Sequence, residues 1–115
     1  MAVRHSDLVV CEGEWDISRA DELASRVTQG LSRGAPILLL DFRPATFVDA
    51  STVGAICWFS REVSQLGVGL GVVCGSGFVR RVLDLTRLSD VVPVAATVDE
   101  ATRAAASRAS DVSRT

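Results

Sequence analysis

Apolar positions along the chain alternate between short continuous runs and stripes with helical spacing. Leu8 to Glu12 is a short β-rich run, Gly13-Glu14-Trp15-Asp16 reads as a loop, and Ser18 is a residue type suited to capping the helix that follows. From Arg19 to about Gln29, Ala20, Leu23, Ala24 and Val27 recur at i, i+3, i+4 and i+7, which predicts one buried helical stripe with Asp21, Glu22 and Arg26 outside it. Gly30, Gly34 and Pro36 are expected to stop this helix. Ile37 to Phe42 is a continuous apolar run interrupted only by Asp41, the pattern of a strand covered on both faces. Arg43-Pro44-Ala45-Thr46 reads as a connection, Phe47 and Val48 return to the core, and Ser51 to Leu66 forms a second helix ended by Gly67. Val68 to Cys74 is a further strand, Gly75-Ser76-Gly77 a turn, and Phe78 to about Leu88 a third helix. Val91 to Ala96 reads as a last strand, at an edge because Pro93 has no N–H to donate. Thr97, with Glu100 three residues on, makes a capping box for a fourth helix.

Strands alternating with helices predict an α/β fold, with a mainly parallel or mixed sheet of about four to five strands, about four helices and right-handed crossovers. Loops that follow parallel strands emerge at one edge, where open α/β domains bind their ligands and partners. Gly13 to Asp16, Arg43 to Ser51 and Gly75 to Gly77 are therefore expected to be neighbours. One domain is expected over residues 3–110, with order fading beyond about Ser107 and a frayed tail at 111–115.

Composition narrows the function. The 115 residues are 48% apolar, which suits one core. All 12 basic residues other than the single His5 are arginines, scattered from Arg4 to Arg114, so no basic stripe for nucleic acid exists and no lysine is present for Schiff-base or P-loop chemistry. Cys11, Cys57 and Cys74 lack metal-site spacing and lie in apolar runs, which suits reduced, buried thiols of a cytoplasmic protein. The apolar runs fall well short of the ~20 residues of a membrane span, and the start lacks a signal-peptide core, so a soluble, intracellular protein without membrane contact is expected.

Ser51 stands at the first turn of its helix, where N–H groups are unsatisfied and the dipole favours negative charge. Asp49 or Ser51 can serve as the cap, and a phosphate on Ser51 would be tolerated while repelling an acidic or apolar partner at that edge.

Leu38-Leu39-Leu40-Asp41 followed by Phe47-Val48-Asp49-Ala50-Ser51-Thr52-Val53-Gly54 resembles the signature of STAS domains of the anti-sigma factor antagonist type, commonly aspartate, serine, serine, glycine, leucine, glycine. Gly13-Glu14-Trp15-Asp16 matches a second element of that family, and the likeness covers about Leu8 to Ala105. The resemblance implies that Ser51 is the phosphoacceptor of a partner that is both anti-sigma factor and serine kinase. The unmodified protein would then bind that partner and free sigma, and a serine phosphatase would reset the switch. It implies a substrate and binding module, with no enzyme activity, cofactor or metal, acting as a monomer or weak dimer. The docking surface expected from it comprises Glu14, Asp16, Phe47, Asp49, Ala50, Thr52, Gly54, Trp58, Gly75 and Ser76. Ala50 replaces the first serine, and Thr52 replaces a glycine. Thr52 thus offers a second hydroxyl for modification and a β-branched side chain that would crowd a close partner.

Trp58 projects from the stripe of Val53, Ile56, Cys57, Ser60 and Val63, so it is either exposed as a partner contact or covered by a neighbouring helix or the chain terminus. Catalysis is poorly served: His5 is alone at the N-terminus, no nucleophile elbow is present, and Asp16, Asp41 and Asp49 read as caps and turns rather than a metal cluster. Gly69, Gly71, Gly75 and Gly77 do not form a nucleotide-binding fingerprint and are better read as turns on either side of a strand. The nearest rival is a STAS scaffold or regulator without a sigma partner.

Overall fold

A computed structural model describes residues 6–113, and side chains through Arg108. The strands are β1 (Asp7–Val10), β2 (Gly13–Trp15), β3 (Ile37–Asp41), β4 (Ala45–Val48), β5 (Gly69–Val73) and β6 (Val94–Ala95). The helices are α1 (Ala20–Leu31), α2 (Ala50–Ser64), α3 (Phe78–Leu85) and α4 (Val98–Ser113), with short 3₁₀ turns at Ile17–Arg19 and Leu88–Asp90. Strands β1, β3, β5 and β6 form one parallel sheet in the order β1-β3-β5-β6, and β2 and β4 form a separate parallel pair.

Alternation along β3 places its side chains in two layers. Leu38 and Leu40 join Leu23, Val27, Ile56, Val63 and Leu83 in the larger core, whereas Ile37 and Leu39 face Ala101 and Ala105 of α4. The continuous apolar run is thus a strand covered on both faces, as its sequence predicts. The edge position of Val94–Ala95 also agrees with the sequence, although only two residues pair. The Thr97 hydroxyl accepts from the Glu100 N–H at 3.2 Å, the first half of the expected capping box, and the Glu100 carboxylate reaches back to accept from the Thr97 hydroxyl at 2.9 Å.

Several boundaries differ for identifiable reasons. Gly13–Trp15 and Ala45–Val48 are paired strands and not a loop and a connection; each is too short to carry a periodic signal, and their pairing spans about thirty residues of sequence. Ser18 does not cap the first helix: the Asp16 side chain accepts from the Ser18 N–H at 2.9 Å and starts the 3₁₀ turn. Gly30 lies inside α1, buried where a Cβ would stand 2.5 Å from Leu38 Cδ1, so it admits the sheet closely while Gly34, at φ +79°, makes the turn. Ala20 is exposed and only Leu23, Val27 and Gly30 of α1 are buried. Gly71 lies within β5, as the Val68 to Cys74 reading has it, under α4, whose Ala101 carbonyl oxygen would be 3.4 Å from an added Cβ. In α2 the buried face is Thr52, Val53, Ile56, Phe59 and Val63, with Cys57 and Ser60 half-buried. Helix α3 stops at Leu85 because Arg87 adopts a left-handed conformation, φ 59°, before the 3₁₀ turn. The backbone of α4 continues past Ser107 to Ser113, in keeping with the high helix propensity of its alanines and arginines. His5 and the last two residues of the expected tail lie outside the described residues.

Candidate functional site

The site is assembled where β2 and β4 run out into helical turns. Trp15 pairs with Val48 across these strands, so the turns that begin at Asp16 and Asp49 lie side by side. Asp49 is extended and is the N-cap of α2: its Oδ1 accepts from the Thr52 N–H at 3.1 Å and from the Ser51 hydroxyl at 2.6 Å. The hydrogen bond from Ser51, aided by the Thr52 N–H, holds the Asp49 carboxyl below the usual range, so it is a carboxylate near neutral pH. Capping belongs to Asp49; Ser51 keeps an exposed hydroxyl in the first turn.

Thr52, the other hydroxyl, is a different kind of residue. It is buried, and its Oγ1 donates to the Trp15 carbonyl oxygen at 2.9 Å. It therefore does not crowd the outer surface as its β-branched side chain suggested. Its hydroxyl ties the start of α2 to the end of β2.

Trp15 itself is buried and is held by neighbours on both sides. Its ring meets Phe42 edge-on at 6.3 Å, and the Arg19 guanidinium lies 3.6 Å from its centroid. Arg19 Nη1 donates to the carbonyl oxygens of Glu12 and Glu14, each at 2.9 Å, while Nε and Nη2 bind both carboxylate oxygens of Glu22 at 2.8 Å. Arg26 adds contacts to Glu12, Glu22 and the Val10 carbonyl oxygen. Hydrogen bonding from Arg19, with the charge of Arg26 nearby, pulls the Glu22 carboxyl down to about 2. Sequence reading missed this clamp; the i, i+3 and i, i+4 spacing of Arg19, Glu22 and Arg26 was its only visible sign.

A shallow cleft of about 160 Å³ lies between the two turns, with Trp15, Arg19, Leu23, Ser51, Thr52 and Ala55 among its lining residues. Asp16 borders it too. Ile17 stands at its lip with 76% of its surface exposed. Gly54, one turn beyond Ser51, faces open space, and Trp58, another turn along, is 50% exposed with its ring edge-on to Phe59 at 5.5 Å. Trp58 is thus uncovered rather than packed under a neighbouring element. Ala50 is exposed.

Phe47 connects this region to the next loop by stacking on Phe78 at 5.8 Å and 16°. Phe78 begins α3 directly after Gly75-Ser76-Gly77, so all three loops predicted to be neighbours are linked. Gly75 is half-buried and Ser76 exposed, while Glu14 is exposed and pairs in register with Phe47. The two remaining aspartate ends have structural roles: Asp16 caps its turn, and Asp41 accepts from the Arg43 N–H and guanidinium at 2.9–3.0 Å. Burial opposes the charge of Asp41, but these donors outweigh it and hold the carboxyl below its usual value. Cys11 and Cys74 are buried, and burial pushes the Cys11 thiol up to about 12; Cys57 is only half-buried. No helix among the described residues is long and apolar enough to cross a membrane.

The STAS domain family model matches residues 1–101, and the chain belongs to that family. Among solved structures, an anti-sigma factor antagonist from Mycobacterium paratuberculosis is similar at a TM-score of 0.77 and 23% identity, over 91% of this chain and 89% of that one. The anti-sigma factor antagonist SpoIIAA, in its unphosphorylated form, gives 0.66 and 22%, over 88% of each chain. A sulfate transporter family protein from Wolinella succinogenes gives 0.71 and 17%, over 100% of this chain and 93% of that one. These likenesses establish a shared fold. No curated protein matches the chain.

Proposed function

We propose that this protein is a cytoplasmic anti-sigma factor antagonist. In its unphosphorylated form it binds an anti-sigma factor that is also a serine kinase, and a sigma factor is released. Phosphorylation of Ser51 switches the binding off, and a serine phosphatase restores it. The protein acts as substrate and binding module, not as catalyst.

The observation that carries this reading is the contrast between adjacent hydroxyls. Ser51 is exposed at a helix start, whereas Thr52 is buried and bonded to the Trp15 carbonyl oxygen, so Ser51 is the group a kinase can reach without unfolding α2. Similarity to anti-sigma factor antagonists, one of them SpoIIAA in a phosphorylated form, supports control of such a domain by phosphorylation.

The physics of the switch follows from position. A phosphate on Ser51 adds close to two negative charges and removes the proton that now bonds Asp49. Free N–H groups and the dipole of the helix start offset the repulsion from Asp49 in the solvated protein. A docked partner excludes the water that screens these charges, and there the same phosphate is far more costly. Binding should therefore respond strongly while the fold responds little.

The likeness to transporter STAS domains supports one alternative, a regulator that binds a membrane transporter or another signalling protein without a sigma partner. Titrating the protein into a purified sigma–anti-sigma complex separates the two. Release of sigma by the unmodified form and not by the Ser51-phosphorylated form is expected; no release by either form would transfer support to the regulator reading.

A further inference from the structure

The turn that carries Ser51 has a near copy beside it. Val48-Asp49-Ala50-Ser51 and Trp15-Asp16-Ile17-Ser18 share an apolar residue, an aspartate, an apolar residue and a serine. Register brings the copies together, because Trp15 and Val48 are partners across the parallel pair β2 and β4. Both aspartates are extended, with φ and ψ of −134° and −170° at Asp16 and −124° and −179° at Asp49. Each Oδ1 accepts from the serine hydroxyl two residues on, at 2.5 Å for Ser18 and 2.6 Å for Ser51. Both serines are exposed, and the Thr52 to Trp15 hydrogen bond ties the turns to one another.

We propose that Ser18 is a second phosphoacceptor, modified by the same kinase partner that acts on Ser51. The proposal rests on the phosphoacceptor reading of Ser51: a kinase site that takes an extended aspartate with a serine hydroxyl bonded to it two residues on meets the same groups at Ser18, although Asp49 caps through the Thr52 N–H and Asp16 through the Ser18 N–H. In the transfer, Ser18 Oγ bonds to the γ-phosphorus of a nucleoside triphosphate held by the kinase. The bond from that phosphorus to its β–γ bridging oxygen breaks, nucleoside diphosphate leaves, and the hydroxyl proton passes by way of the Asp16 carboxylate to solvent. Arg19, the adjacent cation, is committed to Glu22 and to the Glu12 and Glu14 carbonyl oxygens, so the new phosphate adds its charge to the acidic edge formed by Asp16 and Asp49. Two neighbouring sites would make the switch graded.

The test is intact mass and fragment mapping of the parent, Ser51→Ala, Ser18→Ala and the double variant, after incubation with ATP in native extract of the source cells. An added known kinase substrate serves as control. Two phosphates are expected on the parent, one on each single variant at the remaining serine, and none on the double variant. Occupancy at Ser18 should exceed that at the exposed α1-region serines Ser25 and Ser32 at least tenfold. Phosphate on Ser51 alone, with none on Ser51→Ala, overturns the Ser18 proposal and leaves the Ser51 reading intact. Phosphate on Ser18 alone overturns the Ser51 reading and with it the second-site proposal, and phosphate on neither, with the control modified, overturns both. The Ser51→Ala result keeps Ser18 native and does not depend on how Ser18→Ala folds.

Discussion

Thr52 on α2 donates its hydroxyl proton to the carbonyl oxygen of Trp15 at 2.9 Å, thirty-seven residues away in sequence. This bond fixes the start of α2 against the end of β2 and leaves Ser51 as the outward hydroxyl of the pair. Thr52→Val keeps the shape but leaves the buried Trp15 carbonyl without that donor, and a loss of about 1–3 kcal/mol is expected in chemical denaturation. Ser51→Ala, on the exposed side, should lie within about 0.5 kcal/mol of the parent. Equal losses at the two positions would contradict the division between a buried structural hydroxyl and an exposed one.

Two glycines on the helices separate packing from docking. Gly30→Ala gains about 0.5–1 kcal/mol of helix preference but sets a Cβ 2.5 Å from Leu38 Cδ1 and 3.1 Å from Val9 Cγ2, and overpacking a core costs about 1–3 kcal/mol. A net loss of about 1 kcal/mol is expected. Gly54→Ala meets nothing within 4 Å and should stabilise by about 0.5–1 kcal/mol. The same methyl, one turn from Ser51, should weaken partner binding, so a variant that melts higher and binds at least threefold less tightly identifies the α2 surface as the contact.

Stability at low pH should report the Arg19 clamp. Glu22 is lowered from 4.5 to about 2 by hydrogen bonding from Arg19, so its contribution is complete above about pH 4.5 and is lost as pH falls through about 2. Urea midpoints of the parent and Glu22→Gln should be furthest apart at pH 6 and converge as pH approaches 2. A gap that stays constant over this range would exclude the ion pair as its cause.

Trp58 is half exposed and Trp15 is buried, which makes the two indoles distinguishable. In a Trp15→Phe background, Trp58 emission should be red-shifted and accessible to acrylamide, and partner addition should shift it to the blue. Trp58→Ala should change folding stability by less than about 1 kcal/mol while lowering partner affinity, as expected of an exposed aromatic anchor. Emission already blue and quencher-resistant in the free protein would remove Trp58 from the docking surface.

What sequence could disclose followed from period and from single-turn chemistry. The four parallel strands of the main sheet, the outward position of Trp58 and the Thr97 capping box all follow from local spacing. Other features depend on partners remote in sequence. Gly13–Trp15 becomes a strand only because Ala45–Val48 lies beside it, and Arg19 becomes a clamp through carbonyl oxygens of Glu12 and Glu14. Burial of Thr52 was equally hidden, since its position in the motif matches a small residue and says nothing of the Trp15 carbonyl behind it. Ile17 and Phe78 escaped notice because the usual inward rule for large apolar residues does not mark which ones a short turn leaves outside.

The most direct test of the switch is calorimetric titration of a purified cognate anti-sigma kinase, without nucleotide, with the parent, Ser51→Ala, Ser51→Glu and protein carrying phosphoserine at 51. Near-parent affinity for Ser51→Ala is expected, with at least tenfold weaker binding for Ser51→Glu and the phosphoserine form at melting temperatures within a few degrees of the parent. Equal affinity of the phosphoserine form and the parent would contradict the account.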